Sequence, residues 1–266
     1  MSNRRKIQTK FQMKEITRFI KEGLKITSKT KVDKYTYHPK TKEELQDLLK
    51  QLVEERGNEG NFNDIDVSKI KDMSKLFENN LNFNGDISNW NVSGVTDMYA
   101  MFYNCKLFNK PLNKWDISNV TNIQYMFYEC ESFNQPLDNW DISNVNNIYS
   151  MFYKCKSFNQ SLNNWDVSKV TNTSSMFYGC ESFNGDLSNW NVSKVTDMGY
   201  MFYGCKSFNK PLNNWNISNV EYMGYMFCRC ESFNCDISNW DVSNVKNNQK
   251  IFYNCPIEEK YKPKFK

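Results

Sequence analysis

The sequence predicts an α/β solenoid, a stack of about eight 25-residue rungs with parallel strands on one face and helical turns on the other. Three observations predict it. All seven tryptophans, Trp90, Trp115, Trp140, Trp165, Trp190, Trp215 and Trp240, stand 25 residues apart. Seven of the nine cysteines, Cys105, Cys130, Cys155, Cys180, Cys205, Cys230 and Cys255, keep the same interval. The apolar positions inside a period change their spacing part-way, from alternation to steps of three and four. A period held without slippage marks one supersecondary unit per copy, and such a unit buries its apolar side only against its neighbours.

Within one period the first segment reads apolar-x-x-Trp-(Asp/Asn)-(Val/Ile)-Ser-x-Val, as in Leu137 to Val145. The alternating pair Trp140 and Ile142 suits a short strand with one buried face. The second segment, Met198 to Cys205, places Met198, Met201, Phe202 and Cys205 three and four apart, which predicts one or two helical turns with a single apolar stripe. Turn residues then lead back to the next strand, among them Asn84-Gly85, Lys110-Pro111 and Gln135-Pro136. With strands about 4.8 Å apart, eight rungs predict a rod roughly 40 Å long.

Four regions follow. Residues 1–34 form a basic N-terminal helix or arm, with a basic amphipathic helix over 9–26 whose face carries Ile16, Ile20 and Leu24. Residues 35–60 form a strand-helix cap. Its helix spans 41–57, with Thr41 and Glu44 as a capping box, a stripe of Leu45, Leu48, Leu49, Leu52 and Val53, and Gly57 as the stop. Residues 61–255 are the repeats, and 256–266, opened by Pro256, are a C-terminal cap or tail.

Composition narrows the function classes. An apolar share of 39%, with 15% aromatic, suffices for a packed core and excludes a disordered chain. No apolar run approaches 18 residues, so no transmembrane helix is expected. The N-terminus is charged but has no apolar stretch behind it, so no secretory signal is expected. Net charge is +4 and uneven, with eleven Lys/Arg in residues 1–34 against Glu15, Glu22 and Asp33. A membrane or nucleic-acid partner is therefore expected only through that segment, and a solvated arm is the plainer reading.

One cysteine per rung reads as a core column in a reducing compartment, unlike the mixed spacings of a disulfide framework. The residue after each column cysteine alternates in sign: Lys106, Glu131, Lys156, Glu181, Lys206, Glu231. In-register stacking would set opposite charges above and below one another, and tandem duplication of a two-repeat unit would produce the same alternation.

The string Leu-x-x-Trp-Asp-Val-Ser-x-Val-x-x-Met-x-x-Met-Phe-x-x-Cys-x-x-Phe-Asn resembles the BspA-like leucine-rich repeats, in the 25- or 26-residue branch typical of mycoplasma surface proteins. The resemblance covers about residues 35–266. It implies a leucine-rich-repeat-like, right-handed stack with a role in adhesion or protein–protein recognition and no enzymatic activity. It also implies an AT-rich genome of bacterial or viral origin and, for many members, a place on the cell surface. Without a signal segment, a cytoplasmic or virion-associated location stands beside that one.

The polar column next to the tryptophans is the expected binding face: Asp66, Asn91, Asp116, Asp141, Asp166, Asn191, Asn216 and Asp241. The bland alternative is that these side chains and the serines two residues on, Ser68 to Ser243, satisfy backbone groups in turns. No catalytic residue, metal ligand or cofactor is expected. His38 is the only histidine and has no periodic serine or cysteine beside it in sequence. Cys228 and Cys235 lie off the column and could join Cys230 as a soft metal site, but Cys228 replaces a column tyrosine and Cys235 a loop residue, so drift is the plainer reading. The expected function is a non-enzymatic scaffold for one or more protein partners, with no small-molecule substrate. Two other readings stand beside it: an assembly component of a virion or complex, and an anionic-surface or nucleic-acid binder acting through residues 1–34.

Overall fold

The structure is a computed structural model and describes residues 33–265. From Tyr35 onward the chain forms one compact unit. The expected helix over 9–26 and the expected membrane or nucleic-acid contacts of the basic arm fall on residues 1–32, outside the described residues.

The unit begins with a cap. Tyr37 forms a parallel bridge with Ile65, with the Thr36 amide donating to the Asp64 carbonyl at 2.8 Å. The helix α1, Lys42–Arg56, follows. The Thr41 hydroxyl accepts from the Glu44 amide at 3.2 Å, satisfying one of the amides orphaned at a helix start. Gly57, at φ +77°, ends the helix with its amide donating to the Val53 carbonyl. Leu45, Leu49 and Leu52 are buried against the first rung, which the helix covers.

Beyond α1 the expected α/β architecture is overturned. Among the described residues the only other helical element is the single turn Glu259–Tyr261, and β-structure is confined to isolated parallel bridges. The bridges do keep the period: Asp72–Asp97–Asn122, and Asn147–Asn172–Asp197–Tyr222–Asn247. The chain is a stack of rungs made of successive β-turns.

The segment expected to be helical shows why. In Met198–Cys205 the amides of Met201, Tyr203 and Cys205 donate three residues back, to Met198, Tyr200 and Phe202, at 3.2, 3.0 and 3.0 Å. The alternate amides of Met198, Tyr200, Phe202 and Gly204 donate to Tyr222, Gly224, Met226 and Cys228 of the following rung, at 2.7, 2.9, 3.0 and 2.8 Å. An α-helix needs every amide for the carbonyl four residues back. Here half of them are spent between rungs, so the spacing of three and four comes from consecutive turns. Two of those turns place a residue at positive φ in third position, Tyr200 at 57° and Gly204 at 70°, as type II geometry requires.

The segment expected to be a strand is also turned. The Trp190 amide donates to Leu187 at 3.1 Å and the Val195 amide to Val192 at 2.9 Å, which folds the chain back twice within nine residues. The alternating apolar pair faces inward because turns, like strands, can present every second side chain to one side.

What stacks is the side chains. All seven tryptophans are buried. Each indole Nε1–H donates to a carbonyl 28 residues earlier, from Trp90 to Phe62 at 2.9 Å through Trp240 to Leu212 at 3.0 Å. Each column thiol from Cys105 to Cys230 donates likewise to a phenylalanine carbonyl 28 residues earlier, for example Cys155 to Phe127 at 2.9 Å. The receiving carbonyls also serve their own turns: Leu137 accepts from the Trp140 amide at 3.1 Å and from the Trp165 indole at 2.8 Å. Both lone pairs of this carbonyl are used, so the buried indole finds its acceptor without depriving the turn of its own bond. An asparagine ladder closes the rung edge, with the Asn134 amide on the Asn109 side-chain oxygen at 2.9 Å and the Asn159 amide on Asn134 at 2.9 Å.

Ring separations between equivalent positions show how one rung is related to the next. Neighbouring tryptophans are 6.2 and 6.4 Å apart at Trp190–Trp215–Trp240. In the Phe102 column the steps to Phe127 and Phe152 are 5.5 and 5.6 Å. In the tyrosine column Tyr103–Tyr128–Tyr153–Tyr178–Tyr203 they are only 4.4, 4.3, 4.5 and 4.5 Å. A pure translation would give one value everywhere. Successive rungs are therefore rotated as well as shifted, and the screw axis relating them passes nearest the tyrosines.

Candidate functional site

The eight residues expected to form the binding face do line up one per rung, and they are occupied with the backbone. Each side-chain Oδ1 accepts from the amide of the serine two residues on: Asp66 from Ser68 at 3.0 Å, Asn91 from Ser93 at 3.3 Å, Asp116 from Ser118 at 3.1 Å and Asp141 from Ser143 at 2.9 Å. Asp166, Asn191, Asn216 and Asp241 repeat it with Ser168, Ser193, Ser218 and Ser243 at 3.0, 3.2, 3.1 and 3.0 Å. These are Asx-turns, which let a short polar side chain stand in for a backbone turn. The serine hydroxyl and amide hold the Asp116 and Asp166 carboxyls below the usual carboxylate range. All but Asp66 are exposed, so the column is at the surface while its oxygens serve the turns. Asp66 also lies 3.5 Å from His38 Nδ1.

The face that sequence reasoning passed over is the tyrosine column. Tyr103, Tyr128, Tyr153, Tyr178 and Tyr203 are half-buried, with neighbouring ring planes within 2–13° of parallel. Stacked in this way the rings cover one another's faces and present their edges and hydroxyls outward. Burial, together with the neighbouring phenols, pushes the Tyr178 hydroxyl up to about 12 and raises that of Tyr128 as well. The signal was in the sequence as the tyrosine of Met-Phe-Tyr-x-Cys. A helical reading turns that position away from its equivalents in other rungs, whereas the turn stack sets them ring on ring.

Charges beside the row are largely paired across rungs. Lys154 Nζ lies 2.7 Å from Glu129 and 5.3 Å from the Tyr153 ring centre. Glu131 bridges Lys156 at 2.6 Å and Lys106 at 3.4 Å, and the Lys156 bond is the main cause of its depressed pKa. Lys206 reaches Glu181 at 2.7 Å. Such exposed pairs contribute only about 0.2–1 kcal/mol each, and they leave the face close to neutral.

A second group of tyrosines, Tyr149, Tyr200, Tyr222 and Tyr225, lines a notch of about 370 Å³ together with Asp197. No three His, Cys, Asp or Glu side chains among the described residues gather as metal ligands, and Cys228, Cys230 and Cys235 are free thiols. Burial raises the pKa of every column thiol, which makes them inert core groups. None of the helices among the described residues is long and apolar enough to cross a membrane.

The model of a repeat family described as mycoplasma protein of unknown function, DUF285, matches the chain twice in tandem, over residues 46–165 and 146–263. The chain belongs to the DUF285 family. The two matches overlap and together run from α1 to the tail, so the family pattern and the 25-residue rung describe the same stretch. This supports the expected mycoplasma-type repeat; the match does not carry the BspA-like leucine-rich assignment, and the absence of a sheet among the described residues departs from it. No curated protein and no solved structure matches the chain.

Proposed function

We propose that this DUF285 chain is a non-enzymatic recognition scaffold whose tyrosine face docks a protein partner. The observation that carries the reading is the row of five stacked, half-exposed tyrosines, with the stacked pair Tyr200 and Tyr225 in the column beside it. Tyrosine supplies a large, rigid contact area at low entropic cost, with a hydroxyl for pairing, and is enriched at interface centres. The stack fixes each ring before binding, which reduces the ordering cost of association. Near-neutral charge on the same face fits a protein surface better than a polyanion. The Asx column supports turns and does not supply the recognition chemistry.

The test compares two triple variants against partners selected from a displayed protein library by the wild-type chain. Tyr128→Ser, Tyr153→Ser and Tyr178→Ser together should abolish binding, with loss of about 2 kcal/mol or more as at interface hot spots. Asp116→Lys, Asp141→Lys and Asp166→Lys together should leave it within a few-fold. The reverse outcome would overturn the tyrosine face.

A further inference from the structure

The notch beside the tyrosine row departs from the repeat in a directed way. One column of the stack reads Ala100, Tyr125, Ser150, Ser175, Tyr200, Tyr225, Lys250. Tyr225 covers one face of Tyr200, at 4.8 Å and 4°. The place on the other side, one rung back, is Ser175, so no ring completes the stack there. The adjacent column, which carries Tyr99 and Tyr149 in other rungs, becomes Ser174, Gly199 and Gly224 at this point. With serine or glycine at these three positions, a cavity lies beside Tyr200.

Asp197 is the only charged group lining it. Its Oδ1 accepts from the Gly199 amide at 2.9 Å, and no cation among the described residues pairs with it. Burial holds its carboxyl above the usual range. The chain shows what the equivalent carboxylate does when a cation is within reach. Five rungs earlier, at Asp72, the Lys42 ammonium from α1 lies 3.1 Å from both carboxylate oxygens and 2.7 Å from the Ser74 hydroxyl. In the same rung Lys75 Nζ sits 5.9 Å from the centre of the Tyr99 ring. The stack therefore already carries a cation on this carboxylate column and a cation on a tyrosine face, each satisfied from within.

We infer that the notch between Ser175 and Gly224 receives a cationic side chain of the protein partner, arginine before lysine, with its charge on Asp197 and its stem along Tyr200. A guanidinium is planar and can take the place of the missing ring while hydrogen bonding to a carboxylate; an ammonium can do only the second. This rests on the recognition reading above and adds to it the chemistry of one contact.

The probe is N-acetyl-argininamide titrated into the full chain, followed by amide NMR shifts. Saturable shifts at Ser174, Gly199 and Gly224 are expected, with the lysine analogue weaker and the neutral citrulline analogue about tenfold weaker or undetectable. Asp197→Asn should weaken the arginine probe about tenfold, since one charged hydrogen bond is lost. Ser175→Tyr fills the slot with the residue that positions 125, 200 and 225 already hold at φ near 57°, so it should fold normally and abolish the shifts. Citrulline binding as well as arginine, an unaltered response in folded Ser175→Tyr, or no localised shifts in the wild type would each overturn the inference. Failure here with Tyr128, Tyr153 and Tyr178 still required for a partner would remove only the notch. Loss of both would remove the recognition reading.

Discussion

At the scale of single residues, the repeat is explained by polar atoms on apolar side chains. Phenylalanine would fill most of the space of Trp165, but only an indole can donate to the Leu137 carbonyl at 2.8 Å while remaining buried. Alanine would pack in place of Cys155, but only a thiol can donate to Phe127. Each rung is thereby tied to the one before by two side-chain bonds in addition to its backbone bonds. Trp165→Phe should lower stability by about 1 kcal/mol, the net contribution of one hydrogen bond plus a slight loss of volume. Trp165→Ala should cost about 3–5 kcal/mol, because a large cavity opens in a stack that cannot close around it. Chemical denaturation of both variants reads the two values; unchanged stability in Trp165→Phe would mean that the Nε1 bond contributes nothing. The sequence made the burial of tryptophan and cysteine legible through their period. It did not reveal their donors, because periodicity reports which column a residue occupies and says nothing of which carbonyl lies above it.

At the scale of one rung, the period, the cap and the turn residues were readable, while the element types were not. Thr41, Glu44 and Gly57 carry local signals, and α1 begins and ends where they stand. The segments Leu187–Val195 and Met198–Cys205 mimic strand and helix because consecutive β-turns also produce spacings of two, three and four. What decides between them in the second segment is the partner of the alternate amides, which lies 24 residues away in the following rung. The Asx column was legible as a column, and its role in turns was the blander of two readings. The tyrosine face was hidden by the helical reading of its segment. Its stacking has a pH consequence. Burial and neighbouring phenols raise Tyr178 in the row, and Tyr125 in the column beside it, to about 12 in the folded chain, against about 10 in an unfolded one. Below about pH 10 both states hold the proton and the full stability is present. Above it the unfolded chain ionises first, binds fewer protons than the native one, and stability falls until the folded values near 12 are passed. Thermal melts between pH 8 and 12 should fall steeply above 10 in the wild type and less in Tyr128→Phe with Tyr178→Phe; parallel curves would contradict the buried stack.

At the scale of the whole repeat unit, each rung repeats the same bonds one period on, and the two ends depart from the pattern. At the start, α1 covers the first rung with Leu45, Leu49 and Leu52. At the finish, the Tyr261 carbonyl accepts from the Ile237 amide at 3.0 Å and the Glu258 amide donates to Asn234 at 2.9 Å, so the tail completes part of a rung. The remaining edge turns polar: the position of Met198 and Met223 becomes Asn248, and that of Tyr200 and Tyr225 becomes Lys250, both exposed. A polar outer rung discourages further stacking on that edge. The screw axis beside the tyrosines keeps that face the most closely spaced part of the unit, where a continuous ladder of rings can form. All of this rests on alternate amides reaching across to the following rung. Couplings through hydrogen bonds, measured by NMR on deuterated chain, test it most directly. The Met198, Tyr200, Phe202 and Gly204 amides are expected to couple to the carbonyls of Tyr222, Gly224, Met226 and Cys228. Coupling of those amides to carbonyls four residues earlier in their own rung would make the segment a helix and contradict the stack of turns.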